Sequence, residues 1–378
     1  MPEPARPDSN RRHSTTSARQ RGRKPVVPPV LVRQLRGSLA ESEHRGHVVE
    51  VDMFGRLVRA IGDPDHVTTL RSAVKPFGLL ALVEAGGIEA FDLTSAELAV
   101  MASSHSGEDL HVRTLQDIFR RARISQSALA CGVEHAPLDA LTAMRLTRDG
   151  ERPGPIRHNC SGNHTALLLL ARLGDWPLDG YWEPTHPAMR AFAAAVARSF
   201  ATSPDRLVTA PDNCGIPTFA FRLREIAWAF ALLAAPDAIP GSDIRTALAD
   251  SIRKVRDAML ANPEMVGGTR DRLDTALMKA LPGRVVSKGG AEALRGIGVL
   301  SRDDRPPSGV ALRISDGDGA DRAGRAAAVE TLVQLGVVRD ADLRQLAPYH
   351  RPAVADPHGR IVAEAVASFD LAPVGELV

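Results

Sequence analysis

The spacing of apolar residues changes twice along the chain, from a strand pattern to a helix pattern and back. Near the N-terminus, His47–Asp52 and Arg56–Ile61 are short runs rich in β-branched and other apolar residues, and Met53-Phe54-Gly55 separates them. This arrangement predicts a β-hairpin. Further strands are predicted over 292–300, 310–315 and 360–366, with a helix over 322–335. Strands are therefore expected at both ends of the chain.

The middle of the chain has the period of amphipathic helices. Thr94-Ser95-Ala96-Glu97 has the form of a capping box, in which the first and fourth residues bond each other's backbone, so a helix should begin there. Other helices are predicted over 111–123, 162–173, 187–200, 216–233, 242–260 and 270–281. The simplest architecture is an α+β fold, with one sheet of N- and C-terminal strands covered by a central helical subdomain.

The composition indicates a folded body behind a basic N-terminal segment. The chain has 378 residues, of which 44% are hydrophobic and 24% charged, so it can bury a sizeable core. Residues 1–24 hold seven Arg or Lys and two acidic residues, which leaves the rest of the +2 chain slightly negative. Such a body is a poor nucleic-acid binder, because that function needs a basic face. We expect a disordered basic tail over 1–30, one domain over 31–378 and no nucleic-acid partner.

The sequence has neither a long apolar run nor a cysteine framework. Its longest apolar stretch, Ile226–Ala235, is about half of what crosses a bilayer, and no apolar run follows the basic N-terminus as in a secretion signal. Three cysteines without CxxC spacing cannot form a disulfide framework. We therefore expect a cytoplasmic protein with reduced thiols and no membrane partner.

Lysine is rare in this chain, and two of the five lysines stand in distinctive contexts. A lysine can lose its proton and act as a base, whereas arginine stays charged. Ser72 and Lys75 are three residues apart, so on a helix Lys75 can reach the Ser72 hydroxyl, although Pro76 disfavours a helical Lys75 unless a helix begins there. Ser104 lies just past the helix that begins at Thr94, and Lys288 lies just before a predicted strand.

This order of a Ser-x-x-Lys element, a serine loop and a late Lys-Gly is typical of acyl-serine enzymes of the penicillin-recognising type.

Two of the cysteines form a second group, because Cys160 and Cys214 each precede a predicted helix. The dipole at a helix N-terminus favours the thiolate, which is the metal-binding form. Two thiolates and a nearby histidine could bind Zn²⁺, and two small buried thiols are the alternative interpretation.

Five motifs resemble, in their order along the chain, the signatures of the asparaginase II family, the rhizobial-type L-asparaginases. They are Arg71-Ser72-Ala73-Val74-Lys75-Pro76-Phe77, Ala102-Ser103-Ser104-His105-Ser106-Gly107-Glu108, Asn159-Cys160-Ser161-Gly162-Asn163-His164, Asp212-Asn213-Cys214-Gly215 and Lys288-Gly289-Gly290-Ala291-Glu292. The resemblance extends from about Gly37 to Phe369. It implies a serine β-lactamase-like fold, a homodimer, and hydrolysis of L-asparagine to aspartate and ammonia, with low activity on glutamine.

The resemblance also implies the catalytic residues. Ser72 with Lys75 and Ser104 with Lys288 would form two Ser–Lys pairs. Either serine can be the attacking group, and we expect Ser72, because Lys75 is its nearest possible base. A β-aspartyl ester on Ser72 would then be hydrolysed by water, while Ser104 and Lys288 carry the proton to the leaving ammonia.

The charged ends of an amino-acid substrate need partners as well. Arg71 can hold the α-carboxylate bidentately and Asp212 the α-ammonium, with surface ion pairing as the alternative for both residues. His164 belongs to a family motif and is expected to orient the substrate or to form a structural hydrogen bond.

One position departs from the family pattern. The family's zinc site combines the cysteines that match Cys160 and Cys214 with a lysine, and Asn163 occupies that lysine's position in this chain. An amide oxygen is a weaker zinc ligand than an amine, so we expect weakened Zn²⁺ binding and activity that survives it. No organic cofactor is expected.

Two other functions stay open from the sequence. The first is another acyl-serine hydrolase on a penicillin-recognising scaffold, although Arg71 and Asp212 suit a free amino acid better than a lactam. The second is a catalytically inactive homologue that binds an amino acid or zinc.

Overall fold

An antiparallel sheet joins the N- and C-terminal parts of the chain. The computed structural model describes residues 27–239, 241, 243–302 and 305–374. Its strands are β1 Val30–Arg36, β2 Leu39–Asp52, β3 Leu57–Ile61, β4 Val67–Thr69, β5 Val208–Pro211, β6 Pro217–Arg222, β7 Val285–Gly290, β8 Leu294–Val299, β9 Ser308–Ile314, β10 Ala353–Ala355 and β11 Ile361–Ala367. Within the described residues, the main sheet has eight strands in the order β10-β11-β1-β2-β9-β8-β7, with β3 also paired to β2. A second sheet has the order β4-β6-β5.

Helices surround the main sheet. They are α1 Lys75–Glu84, α2 Gly87–Ala90, α3 Ser95–Met101, α4 Asp109–Ala122, α5 Ala140–Arg148, α6 Ser161–Leu173, α7 Pro187–Ser199, α8 Leu223–Ala234, α9 Ala249–Ala261, α10 Pro263–Val266, α11 Leu273–Ala280, α12 Ala323–Gln334 and α13 Asp340–His350. Short 3-10 helices add a few more turns, and one of them, Arg71–Val74, leads directly into α1.

Both faces of the main sheet are buried. Along β2, Val49 belongs to the core that includes α8, whereas its neighbour Val48 belongs to the core that includes α12. Successive side chains point to opposite faces of a strand, so the sheet separates these two cores. Helix α8 lies very close to its face, because a Cβ at Gly309 of β9 would be 1.8 Å from the carbonyl oxygen of Ala227. This packing explains why glycine occurs within a central strand.

The N-terminal predictions are confirmed. Strands β2 and β3 form the expected antiparallel hairpin, with Val48 opposite Ile61. Helix α3 begins with the predicted capping box, in which the Thr94 side chain accepts a hydrogen bond from the Glu97 backbone and Glu97 bonds the backbone of Thr94. The sheet combines strands from both ends of the chain, and the fold is a mixture of helix and sheet as the α+β prediction required.

The helix predicted over 216–233 is wrong in its first part. The structure has strand β6 there, and α8 begins only at Leu223. Phe219 and Phe221 alternate along this segment and are both buried, a strand pattern that the following apolar helix obscures in the sequence. Consequently Cys214 precedes a strand, and the expectation of a helix N-terminus at this cysteine is also wrong.

Two further boundaries differ from expectation. Lys288 precedes the predicted strand, which is β8, but it also lies within β7, a strand that we did not predict and that the next two glycines end. Helix α1 begins at Lys75, with Pro76 at its second position. Proline is tolerated in the first turn of a helix because the N–H that it lacks has no partner there.

The described residues include only the last part of the predicted N-terminal tail, residues 27–30. Residues 1–26 of the predicted tail lie outside the described residues, and Val30, which we assigned to the tail, is the first residue of β1. The division into a tail and one domain stays a prediction. Among the helices described, none is both long and apolar enough to cross a membrane.

Candidate functional site

Three elements bring two lysines to one serine hydroxyl. Lys75 is the first residue of α1, Ser104 lies in the loop after α3, and Lys288 is in β7. Lys75 Nζ lies 3.2 Å and Lys288 Nζ 2.9 Å from Ser104 Oγ. All three side chains are buried. The structure thus places a serine hydroxyl in contact with two amines, and a neutral amine in this position can accept the hydroxyl proton.

The surroundings of Lys288 favour its neutral amine. Burial lowers the pKa of Lys288 to about 7, because desolvation disfavours the ammonium form. The negative charge of Asp274 opposes this decrease, while Lys75, Arg272 and Arg295 add to it. A large share of Lys288 is therefore the free amine near neutral pH, the form that can act as a base.

Asp274, at the start of α11, holds the strand that carries Lys288. It accepts hydrogen bonds from Ser287 Oγ at 2.7 Å and from the Gly289 backbone at 3.0 Å, and it contacts the Arg295 guanidinium. Burial by itself would raise the pKa of Asp274, but Arg295 and Lys288 lower it to about 2. A permanent negative charge therefore lies beside the Lys288 amine.

The Ser104 loop is held by its backbone. The Ser104 N–H donates to the Val266 carbonyl at 3.1 Å, and Arg272 Nη2 donates to the Ser104 carbonyl at 2.7 Å. The next residue, His105, contacts Ser161 Oγ through Nε2 at 2.8 Å. Because several elements hold this loop, the Ser104 hydroxyl is kept near both lysines.

Ser72 and Ser104 line the same cavity, which has a volume of about 550 Å³. Ser72 belongs to the 3-10 turn before α1 and is partly exposed. In the described part of the chain, no hydrogen bond joins the Ser72 and Lys75 side chains. Lys75 Nζ instead contacts Ser104 Oγ, the carbonyl oxygens of Ser103 and Asn159, and a cysteine sulfur. The predicted Ser104–Lys288 contact is thus present. Lys75, which we expected to contact Ser72, contacts Ser104 instead.

Arg71 and Asp212 are bound to each other. Arg71 Nη2 donates to Asp212 Oδ1 at 2.9 Å and to Asn213 Oδ1 at 3.0 Å. Neither Arg71 nor Asp212 is among the residues that line the cavity beside Ser72 and Ser104. Their predicted roles at the two ends of the substrate stay predictions, and this geometry does not supply the bidentate site that we expected.

His164 is fully buried in α6. Its Nδ1 lies 2.6 Å from the Tyr181 hydroxyl, and its Nε2 is buried without a hydrogen-bond partner in the described structure. Burial lowers the pKa of His164 to about 3, so the ring is neutral at physiological pH. The structural hydrogen bond that we expected as an alternative is present.

Cys160 and Asn163 lie three residues apart at the start of α6, and Cys160 and Cys214 act on each other's ionisation. The Cys160 sulfur is 3.3 Å from Lys75 Nζ. A hydrogen bond from the Cys214 thiol, together with the Lys75 charge, lowers the pKa of Cys160. The same hydrogen bond, together with burial, raises the pKa of Cys214. The ionisation of the two thiols is thus linked, and a lysine lies beside Cys160.

The fit of these residues to zinc depends on Asn163. Both polar atoms of its side-chain amide are buried and have no hydrogen-bond partner among the described residues. An unpartnered buried amide oxygen is suited to a ligand. The described chain contains no group of three or more His, Cys, Asp or Glu side chains arranged for a metal. The candidate donors are therefore two sulfurs and one amide oxygen, and zinc binding by them stays a prediction.

The amino-acid sequence matches the profile of the L-asparaginase II family over residues 32–367. The chain belongs to the L-asparaginase II family. This match confirms the resemblance that the five motifs indicated, and it covers nearly all of the sheet and the helices around the two lysines. A search of the curated proteins found no match.

Solved structures with similarity to this member of the L-asparaginase II family include glutaminases. A crystal structure of Mglu in its tris and glutamate form is 16% identical, with a TM-score of 0.35, and the matched part covers 82% of this chain and 64% of that chain. A Bacillus glutaminase is 9% identical over 77% of this chain and 91% of that one, with a TM-score of 0.38.

The Bacillus subtilis glutaminase YbgJ, in covalent complex with 5-oxo-L-norleucine, is 11% identical, with a TM-score of 0.35, over 79% of this chain and 92% of that one. TM-scores at this level do not establish a shared fold.

Proposed function

We propose that this protein is an L-asparaginase that hydrolyses the side-chain amide of L-asparagine to L-aspartate and ammonia by Ser–Lys catalysis. Membership in the L-asparaginase II family supports amidohydrolase activity. The observation that carries the proposal is the Ser104 hydroxyl between the amines of Lys75 and Lys288. Such a group can pass protons between a nucleophile, a base and a leaving ammonia.

In the proposed mechanism, Ser72 Oγ attacks the amide carbonyl carbon of the substrate. Its proton passes to Ser104 as Ser104 gives its own proton to the neutral amine of Lys288. The C–N bond then breaks, and the Lys288 ammonium returns a proton through Ser104 to the leaving nitrogen, which departs as ammonia. Water hydrolyses the β-aspartyl ester by the same steps, which releases aspartate and regenerates Ser72.

Ser104 is the second candidate for the nucleophile, because it contacts both lysines whereas Ser72 contacts neither through its side chain in the described structure. Ser72 is preferred since it opens into the cavity, while Ser104 is more deeply buried. Acid quenching during turnover, followed by peptide mass spectrometry, should find the ester on the peptide that contains Ser72. An ester on the Ser104 peptide would reverse this assignment.

The direct test of the activity is ammonia release from L-asparagine by the purified protein. We expect release from the wild type and a loss of at least about 1,000-fold in Ser72→Ala, because the nucleophile is absent. L-Glutamine is the comparison substrate and should react more slowly. A chromogenic lactam or ester that reacts faster than either amino acid would instead favour another acyl-serine hydrolase, and asparagine binding without turnover would favour an inactive homologue.

We further propose that Cys160, Cys214 and Asn163 hold a zinc ion with low affinity. A bound Zn²⁺ would keep both sulfurs as thiolates beside the Lys75 ammonium and so fix the position of that lysine. Titration with Co²⁺ as a probe should produce the absorption band of cobalt–thiolate bonds, and Cys214→Ser should weaken it. An unchanged spectrum in the wild type would rule out this site.

The serine β-lactamase-like fold, a homodimer and a cytoplasmic location complete the proposal. The first two follow from the family resemblance, and the third follows from the apolar pattern of the sequence. Light scattering of the purified protein tests the homodimer, since it should give twice the 40.4-kDa mass of one chain. The mass of a single chain would exclude the homodimer.

A further inference from the structure

Four arginines line the cavity that contains Ser72 and Ser104, and three of them have carboxylate partners. Arg270 Nη2 lies 2.7 Å from Asp139 Oδ2 and 3.1 Å from Glu108 Oε2. Arg295 contacts Asp274. Arg325 contacts Asp271, and its Nη2 lies 2.6 Å from Asp321 Oδ2. These three guanidinium groups are neutralised by the protein itself.

Arg272 differs from the other three. Among the described residues, no carboxylate lies within 4.0 Å of its guanidinium, and its side chain donates one hydrogen bond, from Nη2 to the Ser104 carbonyl at 2.7 Å. Arg272 is partly exposed, and an arginine that lies largely away from bulk water normally has a counter-ion. Burial accordingly lowers the pKa of Arg272.

Charged groups of both signs surround Arg272. Its charge is close enough to lower the pKa of Lys288, and Arg295 acts on both groups in the same direction. Asp274 and Asp321 act on Arg272 in the opposite direction, but Asp274 is already bound to Arg295, Ser287 and the Gly289 backbone, and Asp321 is bound to Arg325. An anion that enters the cavity would therefore find an unneutralised guanidinium beside the serine loop.

We infer that Arg272 binds the α-carboxylate of the amino-acid substrate. This inference rests on the proposed function, and it moves the carboxylate site from Arg71, whose Nη2 is occupied by Asp212 and Asn213, to an arginine that lines the cavity. The planar guanidinium binds a carboxylate through two parallel hydrogen bonds. Because Arg272 also holds the Ser104 carbonyl, it places the substrate carboxylate at a defined distance from the reacting hydroxyls.

The kinetic test compares L-asparagine with 3-aminopropanamide, which has the same amide and amine but lacks the α-carboxylate. Arg272→Met should lower kcat/KM for L-asparagine by about 100-fold, mostly through KM, because a buried charged hydrogen bond is lost. The kcat/KM for 3-aminopropanamide reports only the effect of the lost Arg272–Ser104 hydrogen bond on the serine loop, and its loss should be at least about 10-fold smaller than the loss for L-asparagine. Arg272→Lys keeps the charge but not the two parallel hydrogen bonds and should lie between the wild type and Arg272→Met.

Arg270→Met is the matched control, because it removes the same charge from the same cavity at an arginine that is already paired. It should leave the preference for L-asparagine over 3-aminopropanamide unchanged. An equal preference for L-asparagine over 3-aminopropanamide in Arg272→Met and the wild type would overturn the inference. It would also be overturned if both Arg272 variants unfolded at the normal temperature but lost kcat/KM equally for the two substrates.

A binding experiment separates this inference from the proposed function. Calorimetry with L-aspartate, the expected product, needs no turnover, and Arg272→Met should bind it about 100-fold more weakly than the wild type. If the wild type releases no ammonia but binds L-aspartate through Arg272, the proposed function fails and the carboxylate site stands. If the wild type is active and both Arg272 variants bind L-aspartate normally, the carboxylate site fails and the proposed function stands.

Discussion

At the residue scale, the protonation of Lys288 is the property of the site with the clearest physical origin. The amine is fully buried, so its ammonium form loses hydration, and the nearby cations disfavour that form further. Asp274 acts in the opposite direction. The pKa of Lys288 is thus the balance between a desolvated cation and one buried carboxylate.

This balance predicts the acidic limb of the pH profile. The base must be neutral to accept a proton, so kcat/KM should rise with pH through about 7, the pKa of Lys288, with the slope of one ionisation. Asp274→Asn removes the charge that favours the ammonium. The pKa of Lys288 should then fall, and the limb should move to lower pH by about one unit.

Asp271→Asn is the control for this prediction, because Asp271 lines the same cavity but has an exposed side chain and does not act on Lys288. Its pH profile should match that of the wild type. A limb that stays in place in Asp274→Asn, measured by ammonia release, would show that Lys288 is not the titrating base.

Two residues of the site stand outside any recognisable motif. Ser72, Lys75, Ser104 and Lys288 belong to such motifs, whereas Arg272 and Asp274 lie at the start of an unremarkable helix. Their role depends on contacts with the Ser104 loop and with β7, and nothing local encodes these contacts. A cluster of charged residues at the start of an apolar helix was the available signal.

At the element scale, Gly162 sets how closely α6 approaches α3. A Cβ at this position would lie 1.9 Å from the Val100 carbonyl oxygen, a distance that no side chain tolerates. Helix α6 begins directly after Cys160, and Ser161 contacts the histidine that follows Ser104. The glycine of this motif thus connects helix packing with the geometry of the site.

Gly162→Ala should therefore destabilise the protein by about 2 kcal/mol through overpacking and should reduce ammonia release, since α6 must move away from the serine loop. Urea unfolding monitored by circular dichroism measures the first effect. Gly154→Ala is the matched control, because a Cβ there meets nothing within 4 Å and the backbone φ of −92° suits alanine. Equal stability of the two variants would contradict the packing argument.

The elements themselves were predictable where one local signal dominated. The capping box at Thr94 and the hairpin around Gly55 are complete within a few residues, so both were located correctly. The segment 217–222 was not recognised as a strand, because its strand pattern leads directly into the apolar helix α8. The segment becomes a strand only by pairing with β4 and β5.

At the scale of the whole molecule, β1 lies between two other strands of the main sheet. It pairs with β2 on one side and with β11 on the other, so it joins a strand of the N-terminal part to one near the C-terminus. Leu31 and Val32 of β1 belong to the core that includes α12. The loss of β1 would expose two strand edges and part of this core.

Deletion of residues 1–36 should consequently give a protein that aggregates or lacks a cooperative thermal transition. Deletion of residues 1–26 is the control, since it leaves the complete β1 in place. Differential scanning calorimetry of the soluble fractions measures the difference. A transition of the 1–36 deletion at the same temperature as the control would show that β1 is dispensable.

The sequence by itself determined the family and the mixture of helix and sheet, and it predicted the four Ser and Lys residues, because these depend on local motifs and on periodicity that a single segment carries. Only the tertiary structure decided which lysine contacts which serine, that Arg71 is occupied by Asp212, and that Arg272 has no carboxylate partner among the described residues. Burial, pKa shifts and ion pairing depend on distances between segments far apart in the chain, and the sequence order does not specify those distances.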